Sequence, residues 1–157
     1  MEKSITNPEL DGLWDYPNPY TLEVVVQPDH IDGLLHTNNT VYIEWCEQVA
    51  WHHSASLGLN LESYQTLNRA MAITHCEYDY LQASREGERL IAATWIVEWD
   101  QRLSMRRRFQ IIRIRDGATL LRGNVLFVCI ALDTGRPKRL PPEFIDGYGP
   151  AVLGVSD

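Results

Sequence analysis

The sequence predicts an α+β fold in which a five-stranded, mostly antiparallel sheet wraps around one long central helix. Three observations carry that expectation. A single apolar stripe at helical spacing runs from about Asn39 to Leu57. Alternating or apolar runs of strand length lie before and after it. The two-residue turn signal Asp116-Gly117 separates the last two of those runs. A lone helix of this kind buries its stripe only by lying across the sheet.

Taken in order, residues 1–19 hold three prolines and few apolar residues and read as an irregular arm, with Trp14 and Tyr16 as the side chains that pin it. From Tyr20 to Gln27 the chain alternates, with Tyr20, Leu22, Val24 and Val26 on one face, a half-buried strand that Pro28 ends. A polar loop then leads into the helix, whose stripe is Tyr42, Trp45, Cys46, Val49, His53 and Leu57. Asn39 or Thr40 serves as its N-cap, and Gly58 suits the position just past its end. Strands over 70–80, 89–99, 103–115 and 118–132 follow as a meander, turning at Glu86-Gly87 and at Asp116-Gly117. The expected organisation is an arm over 1–19, one domain over 20–142 and an irregular tail over 143–157. A sheet that covers the helix on one side only calls for a homodimer or homotetramer. Trp51, on the polar side of the helix, agrees with this and fits a covering loop equally well.

Composition narrows the function classes. A chain of 157 residues fits one domain. A formal net charge of −7 argues against nucleic acid or an anionic membrane as partner, while leaving room for a local basic patch on a phosphorylated ligand. Cys46, Cys76 and Cys129 are odd in number and lack a CxxC spacing, a poor disulfide framework and a poor zinc site, so a reduced cytoplasmic compartment is expected. No signal peptide is expected, because no apolar run stands behind the one lysine near the N-terminus, and no stretch approaches the roughly 20 apolar residues of a membrane span. His52 and His53 are helix neighbours pointing about 100° apart, and no HxxxH or HExxH spacing occurs, so no metal is expected. No cofactor is implied.

The stretch that carries chemistry runs from Asp32 through His36, Asn38 and Asn39 to Tyr42. It puts a carboxylate in a loop leading to the first turn of a buried helix. The N–H groups of that turn have no internal partner, and the helix dipole adds positive potential, which suits a developing oxyanion. A carboxylate beside them acts as nucleophile or as base for water. Thioester hydrolysis needs little more, since thiolate leaves readily. On the pattern alone, Asp32 and Asn38 read first as caps of turns and of the helix start.

The resemblance these residues carry reverses that order. Asp32, His36, Asn38, Asn39 and Tyr42, with Trp45-Cys46-Glu47 continuing the helix, hold the spacings of the acyl-CoA thioesterases of the 4-hydroxybenzoyl-CoA thioesterase-like branch of the hotdog superfamily. Tyr80 to Glu88 resembles that family's Tyr-x-x-Pro-Ala turn ending in Gly-Asp, and Gly135 to Pro141 its closing Arg-Pro and Ile-Pro signature. The resemblance spans roughly residues 20–142 and implies a hotdog fold and hydrolysis of an acyl-CoA thioester. Carried over, Asp32 is the nucleophile or general base, the N–H near Asn39 polarises the thioester carbonyl, and His36 and Asn38 organise the loop or bind water. Two departures stand out. The family glycine before the histidine is Leu35, and the family proline of the second turn is Gln82.

Arg106, Arg107 and Arg108 lie on one strand, Arg106 and Arg108 facing one way and Arg107 the other. Arg106, Arg108 and Lys138 are the candidate contacts for CoA phosphates, each weighed against a plain solvated face. Asp29 reads as a solvated loop residue, Glu47 as an exposed or interface glutamate, and Tyr78 and Tyr80 as core or pocket wall. Rival readings are a hydratase or dehydratase on acyl-CoA or acyl carrier protein, whose Asp–His spacing and His-Phe-Pro block are missing, and a non-catalytic acyl-CoA binder. A DNA-binding regulator finds no room in the 19-residue arm.

Overall fold

The alternating run near the start of the chain forms β1 (Tyr20–Val25), and the apolar stripe forms α1 (Asn39–Ser56), in a computed structural model that describes residues 10–154. After it come α2 (Leu61–Leu67), β2 (Arg69–Tyr80), β3 (Arg89–Trp99), β4 (Ser104–Arg113), β5 (Thr119–Ala131) and α3 (Pro142–Tyr148). The strands make one five-stranded antiparallel sheet in the order β1-β3-β4-β5-β2. Its register is clear where β1 meets β3, with Tyr20 opposite Thr94 and Val25 opposite Arg89. Pro28 ends the first strand as expected and opens a 3-10 turn over Pro28–His30.

Four expectations need correcting. The meander holds for β3, β4 and β5 only: β2 lies beyond β5, at the far edge from β1. Asn68 O accepts from Leu132 N at 3.3 Å and Leu126 O from Thr74 Oγ1 at 3.3 Å, so β2 runs antiparallel to β5. The helix is not single, since α2 and α3 join it. Asn60 starts α2 by accepting from Ser63 N at 2.9 Å, and Pro142 sits at the first helical position of α3, where its missing N–H costs nothing. The tail expected to be irregular from 143 therefore contains a helix. The N-cap of α1 is Asn38, one residue earlier than expected.

The described part of the N-terminal arm is held by hydrogen bonds to its backbone and by an ion pair. Gln110 Nε2 donates to Leu13 O at 3.0 Å, Asp15 N donates to Gln110 Oε1 at 2.9 Å, and Arg122 pairs with the Asp15 carboxylate at 2.7 Å. Residues 1–9 of the expected arm lie outside the described residues.

The chain forms two compact units that share α1 and the long strands. One takes the residues up to Ala50 with 78–94 and 109–123. Its core buries Leu22, Val26, Trp45, Val49, Leu90 and Ile111, each no more than 3% exposed. The other takes 51–77, 95–108 and the residues from Asn124 on. Its core gathers Leu59, Tyr64, Ile96, Met105, Phe144 and Tyr148, so α2 and α3 are built into it. Trp51 stacks on Tyr64 of α2 with ring centroids 5.1 Å apart, which accounts for a large aromatic on the polar side of α1.

Candidate functional site

The loop between the 3-10 turn and α1 is a tight hairpin. Ile31 and Thr37 pair as an antiparallel bridge, and inside it Asp32 N donates to His36 O at 2.8 Å and Leu35 N to Asp32 O at 3.1 Å. The pairing sets Thr37, two residues before α1, opposite Ile31, the residue before Asp32. His30 anchors the loop from below: Gln27 N donates to its Nδ1 at 2.9 Å, and its ring meets Trp45 of α1 edge-on at 5.4 Å. Leu35 has φ +64°, the left-handed conformation that a glycine adopts freely and that costs other residues roughly 1–2 kcal/mol. The loop thus keeps a glycine-type turn at the position where the resemblance has glycine, with a leucine in it. Leu34 and Leu35 are 77% and 69% exposed, flanking the carboxylate.

The Asp32 side chain is half used by its own loop. Oδ1 accepts from Leu34 N at 2.8 Å and from His36 N at 3.3 Å, while Oδ2 accepts no hydrogen bond among the described residues. The carboxylate is therefore oriented by backbone amides with one oxygen left to act. Asn38 caps α1: its Oδ1 accepts from Thr40 N at 3.1 Å, and its own N–H donates to His30 O at 2.9 Å. Asn39 is the first helical residue, and its exposed N–H meets no acceptor among the described residues. The His36 ring, half-buried, makes no hydrogen bond among the described residues. Four of the residues singled out from sequence, Asp32, His36, Asn38 and Asn39, thus share one hairpin and one helix start. The capping roles of Asp32 and Asn38 are real, and they leave the Asp32 Oδ2 and the Asn39 N–H open.

Sequence reasoning missed what lies under this segment. Ser84 is fully buried, and its hydroxyl lies 2.7 Å from Thr37 Oγ1 and 2.8 Å from Tyr42 OH. Nothing in a Ser, 42 and 47 residues away from these partners, signals such a hub from sequence. Tyr80, read as core or pocket wall, is 44% exposed; its OH donates to Asn39 O at 3.2 Å and its ring meets Tyr42 at 5.9 Å.

The basic candidates belong to the other compact unit. Arg106 donates to Asn124 Oδ1 at 3.1 Å and lies 3.5 Å from the Glu98 carboxylate. A hydrogen bond from His75 draws the Glu77 carboxyl below its usual range, and the charges of Arg106 and Arg108 add to that effect. Both arginines are therefore among carboxylates on the outer face of the sheet. Lys138 is exposed. Arg107, on the opposite face as strand alternation requires, is 2% exposed and reaches α1: it donates to His53 Nδ1 at 3.0 Å and Ser54 Oγ at 3.2 Å. Burial, then the Arg107 charge, pushes His53 down to about 3. Tyr148 OH lies 2.9 Å from Ser54 Oγ and bonds to Tyr64 OH, whose ionisation burial pushes up.

Cys46 lies on the buried stripe of α1, and burial followed by the Glu47 charge raises its thiol far above the reactive range. Among the described residues no three His, Cys, Asp or Glu side chains lie close enough to hold a metal ion. No described helix is long and apolar enough to cross a membrane.

An oriented carboxylate beside an open helix-start N–H can attack, or activate water against, a carbonyl whose oxygen that N–H receives. No curated protein matches the sequence. Among solved structures, a 1,4-dihydroxy-2-naphthoyl-CoA thioesterase from Synechocystis superposes with a TM-score of 0.75 at 19% identity, over 89% of this chain and 99% of that one. A Staphylococcus aureus protein in complex with CoA gives 0.77 at 19% identity, over 89% of each chain. A 12:0-ACP thioesterase from Umbellularia californica gives 0.76 at 16% identity, over 87% of this chain and 54% of that one. These likenesses speak to the fold; the sequence match speaks to the family. Residues 26–147 match the thioesterase-like superfamily, most of the chain, and the protein belongs to that superfamily as a thioester hydrolase.

Proposed function

We propose that the protein hydrolyses an acyl-CoA thioester to a free carboxylic acid and CoA, with Asp32 as nucleophile or general base and the N-terminus of α1 as the oxyanion site. The observation that carries this reading is the hairpin closed by Ile31 and Thr37, in which backbone amides orient the Asp32 carboxylate and from which the chain runs directly into an unspent helix-start amide. As base, Asp32 takes a proton from water while that water attacks the carbonyl carbon. As nucleophile, Asp32 attacks directly, and water then opens the mixed anhydride. In both routes charge collects on the carbonyl oxygen, the Asn39 N–H stabilises it, and CoA leaves as thiolate. His36 and Asn38 hold the loop or a water.

The same reading takes the sheet to wrap around α1 in the hotdog manner. The buried stripe of Tyr42, Trp45, Cys46 and Val49 supports it, as does the contact of Arg107 with the last turns of α1. It takes Arg106, Arg108 and Lys138 as contacts for CoA phosphates, and the CoA complex of one structural neighbour supports CoA as the thiol carrier. It takes the protein to be a cytoplasmic homodimer or homotetramer. Strand β2 is a sheet edge with Ile73 49% exposed, and an exposed edge is a template for pairing with a second copy.

Thiol release from short, aromatic and long-chain acyl-CoAs, and from an acyl carrier protein thioester, tests the reading. Turnover of at least one acyl-CoA is expected. Acyl-CoA binding without thiol release would replace the hydrolase reading with that of a binding protein.

A further inference from the structure

Ser84 spends every polar atom it has on the segment that carries Asp32 and Asn39. Its carbonyl accepts from Thr37 N at 2.9 Å and from Thr37 Oγ1 at 3.2 Å. Its hydroxyl bonds to Thr37 Oγ1 and to Tyr42 OH, and its N–H donates to Tyr42 OH at 3.0 Å. Thr37 pairs with Ile31 across the Asp32 turn, and Tyr42 lies in the first turns of α1. One fully buried residue therefore ties both ends of the Asp32–Asn39 segment to a single point.

That point is braced from its other side. Arg113 Nη1 donates to Ala83 O at 3.1 Å and Nη2 to Gln82 Oε1 at 2.9 Å, the two residues just before Ser84. Asp116 holds the guanidinium with two oxygens, Oδ1 at 3.0 Å from Nε and Oδ2 at 2.8 Å from Nη2. The Glu88 carboxylate lies 3.4 Å from Nε, a charge contact without hydrogen-bond geometry. A side-chain pair, Gln82 with Arg113, fixes this turn.

We propose that Ser84 is a positioning residue for the thioester chemistry, braced by Arg113 through Ala83 and Gln82, and that it sets the placement of the Asp32 carboxylate against the Asn39 N–H. The proposal rests on the reading of Asp32 and Asn39 given above. Its physical basis is the steepness of catalysis with distance, since a shift of about 1 Å at the reacting groups costs on the order of 100-fold in rate. Buried, mutually bonded hydroxyls allow few alternative arrangements.

The test is Ser84→Ala in the full chain. The backbone bonds from Thr37 N to Ser84 O and from Ser84 N to Tyr42 OH survive this change, so the fold is retained while the two hydroxyl contacts are lost. The expected result is a kcat about 10-fold lower, with KM and inhibition by CoA unchanged. Thr37→Val should lower kcat similarly and Thr37→Ser should restore it. The double variant Ser84→Ala/Thr37→Val should be slower by less than the product of the two single losses, because the contact between the two hydroxyls is lost in both. A merely structural role would instead lower the melting temperature, leave kcat of the folded fraction intact and give additive losses. Wild-type kcat in Ser84→Ala, beside an Asp32→Asn variant that is inactive, would overturn the proposal and spare the Asp32 reading. Full activity of Asp32→Asn would overturn both. Amide hydrogen exchange gives a readout free of turnover: Ser84→Ala should speed exchange selectively within residues 31–42, and unchanged exchange there would also overturn the proposal.

Discussion

At its N-terminal end α1 begins beside Asp32, Asn38 and Asn39, where a carboxylate oxygen and a backbone N–H face solvent without partners among the described residues. At its C-terminal end His53 and Ser54 are shut in with Arg107, Tyr148 and Tyr64, with His53 Nδ1 and the three hydroxyls each bonded to a neighbour. Protonation is displaced strongly at the second end, where His53 is pushed down to about 3. Displaced protonation is often a guide to active sites. Here the His53 and Tyr64 shifts belong to a buried, hydrogen-bonded cluster that holds α1 to β4 and α3, which is how a structural cluster perturbs its groups. The proposed function places the substrate at the open end, where a donor and an acceptor are unspent among the described residues.

Three variants sharpen that contrast. The largest effect is expected from Asn39→Pro. Asn39 is the first helical residue of α1, the position that tolerates proline, so the change deletes one N–H and little else. Steady-state kinetics should show kcat reduced by about 10²–10³-fold in a folded protein, and normal kcat would remove Asn39 from the oxyanion site. At the other end, Arg107→Leu leaves His53 Nδ1 buried without its donor. Urea titration should show a stability loss of about 3 kcal/mol, with turnover per folded molecule unchanged. A loss of turnover without a loss of stability would move the catalytic assignment toward that cluster.

The smallest of the three effects is pH-dependent. Unfolded His53 titrates near 6.5 and the folded one near 3, so between those values the unfolded chain holds the extra proton. Stability therefore falls as pH drops through that window, by up to about 1.4 kcal/mol per pH unit from this group, and is fully present above it. In His53→Gln, which keeps an acceptor for Arg107, denaturation midpoints from about pH 7 to about pH 4 should fall less steeply than in the wild type. Equal slopes would mean that His53 is not held neutral by the fold.

The parts of this contrast differ in how far the sequence reveals them. The start and end of α1, the strand alternation and the Asp116-Gly117 turn are local patterns, and Gly58 and Gly117 take the positive φ that their positions require. The Asp32–Asn39 segment is contiguous, so its grouping was legible as well. The place of β2 was not, because alternation marks a strand without naming its neighbour. Seven residues are too few for α2 to display a period, and the paired Pro141 and Pro142 read as irregular chain although one of them opens α3. Ser84 and Arg107 escaped for a common reason. Each acts through partners more than 40 residues away, and an arginine inside a run of three reads as surface.

The central claim is that the open end does the chemistry through Asp32. Its most direct test is thiol release by Asp32→Asn beside the wild type, on the acyl-CoA that the wild type turns over fastest, with melting curves for both. The account predicts kcat lower by roughly 10²–10⁴-fold at an unchanged melting temperature, because the amide retains an Oδ1 acceptor for Leu34 N and loses the base or nucleophile. Near wild-type turnover in a folded Asp32→Asn protein would contradict it.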